Sequence, residues 1–388
     1  MSDSLKLYSN IAGFVYNGGM RFHDLRCFAT MVWAMVGLLQ SKVIHLSKWS
    51  VYRKGPADAA SKQRTLSRWL GNVRIKPEEL YAPLARQLCQ EFRGRRVYLA
   101  LDSSVLWERF VLVRVALIYR GRALPLSWIV LTGESAKVAF EKYEVILDRA
   151  AHILPVPCDG ILLADRGFED RKLFRKAVSL GWGFRIRLQS TLAICHPDRK
   201  RARIETLMPE KGQALFLQRV WLTKHWFGPL HLALAQVQTK NGFEQWAIAS
   251  DEPPSLKTFD EFGLRFDIEE NFLDDKSAGF QLEASEIRTE QTLYRLILIL
   301  AVTTFYLVNC GAHVAQADPQ RRKVDPHWHR GLSFFQIGWR WLFHALSNNL
   351  ALPTNFRLLP ADNFEPVFAS KSQAARPIAC LTGLSLVT

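Results

Sequence analysis

Changes in the period of apolar and polar positions mark out the elements of this chain. From about residue 20 to residue 95 the spacing suits helices. At Arg96 it switches to strand periodicity: VYLALD runs from alternation into an apolar stretch ending at Asp102, and FVLVRVALIYRGRALPLSWIVL reads as two long strands joined at Gly121. A helix is expected from about Ala136 to Ile153, then a buried strand, GILLAD, ending at Asp165. Arg171 to Ser179 suits another helix and WGFRIRL another strand. Three strands in meander followed by alternating helix and strand predict an α/β sheet of the ribonuclease-H-like kind.

Strand patterns return between about Gln189 and Asp251, where ALFLQRVWLT, GPLHLALAQVQT and EQWAIASD are separated by turn residues and read as an inserted β domain. Helical periodicity resumes from Ser255 to about Cys310, and the tail mixes the basic-aromatic segment RRKVDPHWHRGLSFFQIGWRWL with irregular, Pro-punctuated chain. The expected division is a helical N-terminal region (1–95), the first part of the core (96–188), a β insertion (189–251), the second part of the core (252–310) and a C-terminal region (311–388). The most apolar stretch, LILILAVTTFYLVNC from Leu296, is about one turn short of the ~20 residues a membrane span needs. With Arg295 at its start and His313 soon after, a buried core helix is expected. The N-terminus, MSDSLKLYSN, lacks the basic start and apolar core of a signal peptide, so export is not expected.

Composition adds a partner class. A chain of 388 residues with 48% hydrophobic content can bury a sizeable core and divide into two or more domains. Its formal charge of +15 favours a polyanion, without choosing between nucleic acid and an acidic membrane surface. The basic excess is concentrated: between Lys42 and Lys76 nine Lys and Arg residues face one acid, Asp58. Arg64 and Arg68, at i,i+4, share a helix face suited to phosphate contacts, the alternative being a merely solvated basic face. Six cysteines (Cys27, Cys89, Cys158, Cys195, Cys310, Cys380) lie far apart with no C-x-x-C pair, which indicates neither a zinc site nor a disulfide framework and fits a reducing cytosol. His327 and His329 lack further convergent ligands, so a solvent or packing role is expected of them.

The candidate chemistry lies in three acids. Asp102 and Asp165 end buried strands, where open sheets bind ligands, although each alone could be an ordinary strand-terminating, turn-capping aspartate. In FGLRFDIEENFLDDK, Phe262, Arg265, Glu269, Phe272 and Lys276 fall at offsets 0, 3, 7, 10 and 14, one stripe of a helix. A core stripe would be apolar, and this one carries Arg265, Glu269 and Lys276. It therefore points to a buried polar site, the alternative being a solvent face with an i,i+4 Arg265–Glu269 pair.

Asp102, the Asp165-Arg166-Gly167-Phe168 turn and the spacing F-x-x-R-x-x-x-E-x-x-x-x-x-x-K together resemble the bacterial "insertion sequence four" group of DDE transposases, whose signature has Tyr in place of Phe262. The β insertion, the apolar helix after the glutamate and the N-terminal SKQRTLSRWL are similar as well. The resemblance implies that Asp102, Asp165 and Glu269 hold two Mg2+ ions, with Mn2+ as a substitute, to cut transposon ends and join them to target DNA. Hard cations prefer such oxygen ligands. It also implies that Arg265 and Lys276 hold phosphates, that Arg166 assists, and that Trp246 stacks on an extruded base, against the plainer reading of Trp246 as core. Phe262 removes a hydroxyl that could contact a phosphate. Asp159, Asp170, Glu270, Asp274 and Asp275 are expected to be structural or solvent-facing. The implied partners are double-stranded DNA, as terminal inverted repeats and target, and a second copy of the chain in a synaptic complex. No membrane partner is implied, and the expected setting is the bacterial cytoplasm at the nucleoid. Two other readings stay open: a ribonuclease-H-like nuclease that cuts without joining, and a non-catalytic DNA-binding descendant of a transposase.

Overall fold

The N-terminal region forms five helices, α1 (Asp3–Asn17), α2 (Leu25–Ser41), α3 (Leu46–Tyr52), α4 (Ala59–Gly71) and α5 (Pro77–Cys89). The Asp58 side chain caps α4 by accepting from the Ser61 N–H at 2.6 Å, and Pro77 opens α5, where its missing N–H has no helical partner to lose. The structure, a computed structural model, describes residues 2–197, 199–223, 226–239, 242–285, 287–354, 356–361 and 385–387. Helix α1 begins well before the helical pattern expected from residue 20, burying Leu7, Ile11, Phe14 and Val15 on one side.

Three long strands follow, β1 (Arg96–Leu106), β2 (Phe110–Ile118) and β3 (Ala123–Thr132), paired antiparallel in chain order. Helix α6 (Phe140–Ile153) leads to β4 (Asp159–Ala164), and α7 (Arg171–Ser179) leads to β5 (Gly183–Arg187). β4 lies parallel to β1 and β5 parallel to β4. The order β3-β2-β1-β4-β5, with β2 alone opposed to the direction shared by β1, β4 and β5 on its far side, is the ribonuclease-H-like arrangement that the alternation of elements predicts.

The insertion consists of β6 (Ala193–His196), β7 (Arg199–Arg203), β8 (Gln213–Leu222), β9 (Phe227–Thr239) and β10 (Gly242–Ser250). Its strands continue the central sheet: β10 pairs antiparallel with β5, placing Ile248 opposite Arg187, and the order runs on as β10-β9-β8-β6-β7. The helices after it are α8 (Leu256–Gly263), α9 (Asp267–Leu273), α10 (Glu290–Gln316), α11 (Asp318–Arg321) and α12 (Phe334–Ser347), and a short β11 (Ser385–Val387) pairs with β8. The helical pattern from Ser255 to Cys310 is thus broken between α9 and α10.

Helix α10 is long and apolar enough to cross a membrane, yet 94% of its apolar window is buried inside the protein, as a core helix would be. It packs against β3, α2, α4, α5 and α12. The crossing with α12 depends on two glycines, since a Cβ on Gly311 would lie 1.8 Å from the Phe334 carbonyl oxygen and one on Gly338 would lie 2.0 Å from that of Leu307. Cys27, Cys89, Cys158, Cys195 and Cys310 are free thiols, and Cys380 lies outside the described residues.

Candidate active site

The parallel register of β1 on β4 ends with Leu101 opposite Ala164, so the next residue of each strand, Asp102 and Asp165, stands at the same level of the sheet. Asp165 follows its strand directly, as expected. Asp102 does not end β1, contrary to the sequence expectation, because β2 keeps pairing as far as Leu106 opposite Phe110. Only the β4 side of β1 is released there, and from Asp102 to Val105 the strand turns from buried to half-buried. That freed edge is one wall of a cleft of about 440 Å³. The opposite wall carries Arg265, Glu269, Phe272 and Lys276, so five residues singled out in the sequence (Asp102, Asp165, Arg265, Glu269 and Lys276) share one cavity.

The segment bearing Glu269 is not one regular helix. A 3₁₀ turn (Leu264–Phe266) joins α8 to α9, and a π-helical turn (Asp274–Ala278) ends α9. A 3₁₀ turn winds tighter and a π turn looser than an α-helix, so the stripe drifts. Arg265, Glu269, Phe272 and Lys276 stay on the cleft, whereas Phe262 is fully buried with its ring edge-on to Trp246. Phe262 therefore occupies a packing position.

The wall is fixed to the sheet by buried charge pairs. Arg114 of β2, 0% exposed, donates to Asn271 and, at 2.7 Å, to Asp275, while Arg122 lies 3.1 Å from Asp274. Burial pushes the Asp274 and Asp267 carboxyls up to about 7, with Arg122 opposing in both cases. Asp274 and Asp275 thus have structural roles, as expected. Asp170 caps α7, and Asp159 and Glu270 sit at the surface beside Arg96 and Arg122.

Arg265 dominates the electrostatics of the cleft. Its guanidinium, 4% exposed as a residue, donates to Asp102 Oδ2 at 2.9 Å and to Glu269 Oε1 at 2.7 Å. Burial raises the Asp102 carboxyl to about 6; Arg265 and the Ser103 N–H pull it down, and Glu269 and Asp165 push it up. Asp165 Oδ1 is buried with no hydrogen-bond partner, and Arg187 of β5 stands 3.8 Å from it, held by Glu244 at 3.1 Å and the Gln245 carbonyl. The Lys276 ammonium donates to the Val105 carbonyl at 2.8 Å. Three carboxylates, one of them with an unpartnered oxygen, form a donor set suited to a hard divalent cation. Among the described residues no three acidic, His or Cys side chains converge closely enough to hold an ion as they stand, and a guanidinium already lies between two of these acids.

The remaining sequence candidates lie elsewhere. Arg64 and Arg68 are exposed on α4, and Arg166 is exposed on the turn after Asp165, none of them lining the cleft. Replacing Arg64 and Arg68 together by alanine is expected to weaken duplex-DNA binding and to flatten its dependence on salt by about two phosphate contacts, read from binding isotherms across a salt series. Trp246 requires a correction: it is 5% exposed and packs with Phe259, Phe262 and Ile248, with Phe266 tilted 6.0 Å away. Its position on β10 under α8 turns the indole into the core and leaves no open face for a base. Because its buried Nε1 has no partner, Trp246→Phe loses packing without losing a hydrogen bond. We expect about 1–3 kcal/mol of destabilisation, measured by chemical denaturation. His327 pairs with the buried Asp325, a packing role.

Arg114 and Arg187 escape the sequence reading. The signal for Arg187 was present, since Arg185 and Arg187 recur at i,i+2 on a strand otherwise built to be buried. No family model matches the chain and no curated protein matches it. Among solved structures the chain is similar to the cryo-EM structure of a piggyBac transposase synaptic complex with hairpin DNA, at 9% sequence identity and a TM-score of 0.43, over 95% of this chain and 86% of that one.

Proposed function

We propose that this protein is a DDE-type DNA transposase of the "insertion sequence four" kind, cutting transposon ends and joining them to target DNA. One observation carries the reading: Asp102, Asp165 and Glu269 open into a single cleft together with Arg265 and Lys276. Asp102, Asp165 and Glu269 would hold two Mg2+ ions, or Mn2+ in their place. Such ions, when bound, lower the pKa of a nucleophilic water or 3′-hydroxyl and stabilise the leaving oxygen at phosphorus.

The chain's own residues divide the remaining work. Asp102, half-buried and central, would supply one ligand to the ions, and Glu269, exposed at the mouth, another. Arg265 supplies a two-pronged donor matched to phosphate oxygens, and Lys276, tied to β1 through Val105, keeps positive charge at the floor of the cleft. Arg64 and Arg68 contact the DNA backbone away from the cut. Double-stranded DNA is the partner, and joining two ends calls for a dimer in the synaptic complex, at the nucleoid of a bacterial cytoplasm.

The test is incubation of purified protein with duplex DNA carrying the ends of its element, with and without magnesium. Nicks, double-strand breaks and joined products are scored. Magnesium-dependent cleavage with joining supports the proposal; cleavage without joining assigns a nuclease, and DNA binding without cleavage assigns a non-catalytic descendant. A pH series adds a finer expectation. Asp102 binds a proton as pH falls through about 6, and a protonated carboxyl is a poor cation ligand. Mn2+ affinity, followed by calorimetry, should therefore fall below that pH, and an affinity that stays flat through it would remove Asp102 from the ligand set.

A further inference from the structure

Resting on the reading above, we infer that Arg265 is a cation placeholder, joining Asp102 to Glu269 in the metal-free protein and yielding to the ions only when a phosphate-bearing ligand draws it away. The observation is a single guanidinium shared between two of the three candidate metal ligands, at 2.9 Å and 2.7 Å, in a nearly buried position. Asp102 cannot stand in that cleft as an uncompensated charge, and Arg265 is the cation that touches it. A divalent ion placed between the same acids would face a fixed positive charge at contact distance, so ion and guanidinium compete for the same oxygens.

Arg265 also has somewhere to go. Its Nε is buried without a partner, and its guanidinium lies over the ring of Phe266, 4.7 Å from the centroid. Phe266 is 37% exposed. A guanidinium sliding along that ring keeps its cation–π contact while exchanging carboxylates for phosphate oxygens. The other cations nearby are anchored: Arg187 to Glu244 and the Gln245 carbonyl, Lys276 to the Val105 carbonyl. Competition at one end and phosphate capture at the other make ion and DNA binding mutually reinforcing, since such coupling is reciprocal.

The experiment is a calorimetric Mn2+ titration of the full chain, alone and with a short duplex, the duplex itself being titrated for subtraction. Wild-type protein should bind Mn2+ weakly alone and about tenfold more tightly with DNA, within the usual range of coupling between sites. Arg265→Gln should bind Mn2+ tightly without DNA and gain little from it. Arg265→Lys keeps one cation that cannot span both carboxylates; it should fall between the two, and it carries the test if the glutamine variant melts early. If Arg265→Gln and wild type bind Mn2+ alike, the placeholder is wrong while the metal site stands. If no variant binds Mn2+ with or without DNA, both this inference and the metal-dependent reading fall.

Discussion

Alanine at Asp102, Asp165 or Glu269 is expected to abolish magnesium-dependent DNA cleavage and leave DNA binding largely intact. Each substitution removes an oxygen donor from the cleft. The basic surface, including the exposed Arg64 and Arg68, is untouched, and under the proposed function it would continue to set affinity through phosphate contacts. Losing one preorganised electrostatic group in an active site costs about 10²–10³-fold in rate, and losing a metal ligand should cost at least that. Glu270→Ala is the matched control. It removes a neighbouring acid that sits at the surface 3.7 Å from Arg122 and does not line the cleft, so cleavage should persist. Gel assays of cleavage beside binding isotherms separate the two effects. A triad variant that cuts at near wild-type rate would be struck from the site, and equal losses in Glu270→Ala would mean that general acidity, and not ligand geometry, was being read.

The three acids were legible because each occupies a place that local pattern defines: two beside apolar strands, one on a charged stripe at helical spacing. The succession of the five core strands, a meander and then helix–strand alternation, followed from the change of period at Arg96 and the alternation after it. What local pattern could not supply was which edge of β1 is left open, since that depends on β4 stopping at Ala164 while β2 runs on, a matter of pairing between distant segments. The same limit hid Arg114, whose partners Asn271 and Asp275 are more than 150 positions away in sequence and meet it only once α9 lies on the sheet. Trp246 shows the opposite failure. Strand placement alone cannot distinguish an aromatic that faces a cleft from one a helix will cover, and here Phe259 and Phe262 of α8 cover it. Helix α1 was legible too, since Leu7, Ile11 and Phe14 repeat at i,i+4 and i,i+3, although the helical reading starts only at residue 20.

The largest stability loss is expected from Arg114→Ala. Arg114 has no exposed surface; its guanidinium holds Asp275 at 2.7 Å, donates to Asn271 and lies over the ring of Phe272 at 5.0 Å. Removing it leaves Asp275, itself 2% exposed, as a buried carboxylate without its cation, and breaking such a pair from one side costs about 3–5 kcal/mol. The loss should be coupled to pH. Burial already raises the Asp275 carboxyl above 3.8 against the opposing pull of Arg114, so without Arg114 it rises further. The native state then holds a proton that the unfolded state gives up over the interval between the unfolded value and the raised native one, and across that interval stability falls as pH rises. Denaturation of Arg114→Ala should accordingly show a smaller deficit at about pH 5 than near neutrality. Adding Asp275→Asn should recover part of the neutral-pH loss, because the stranded charge is gone even though the packing over Phe272 is not restored. A deficit that neither shrinks in acid nor responds to Asp275→Asn would show that Arg114 acts through its volume, and that the π-helical turn beneath Glu269 is held by packing instead of by this buried pair.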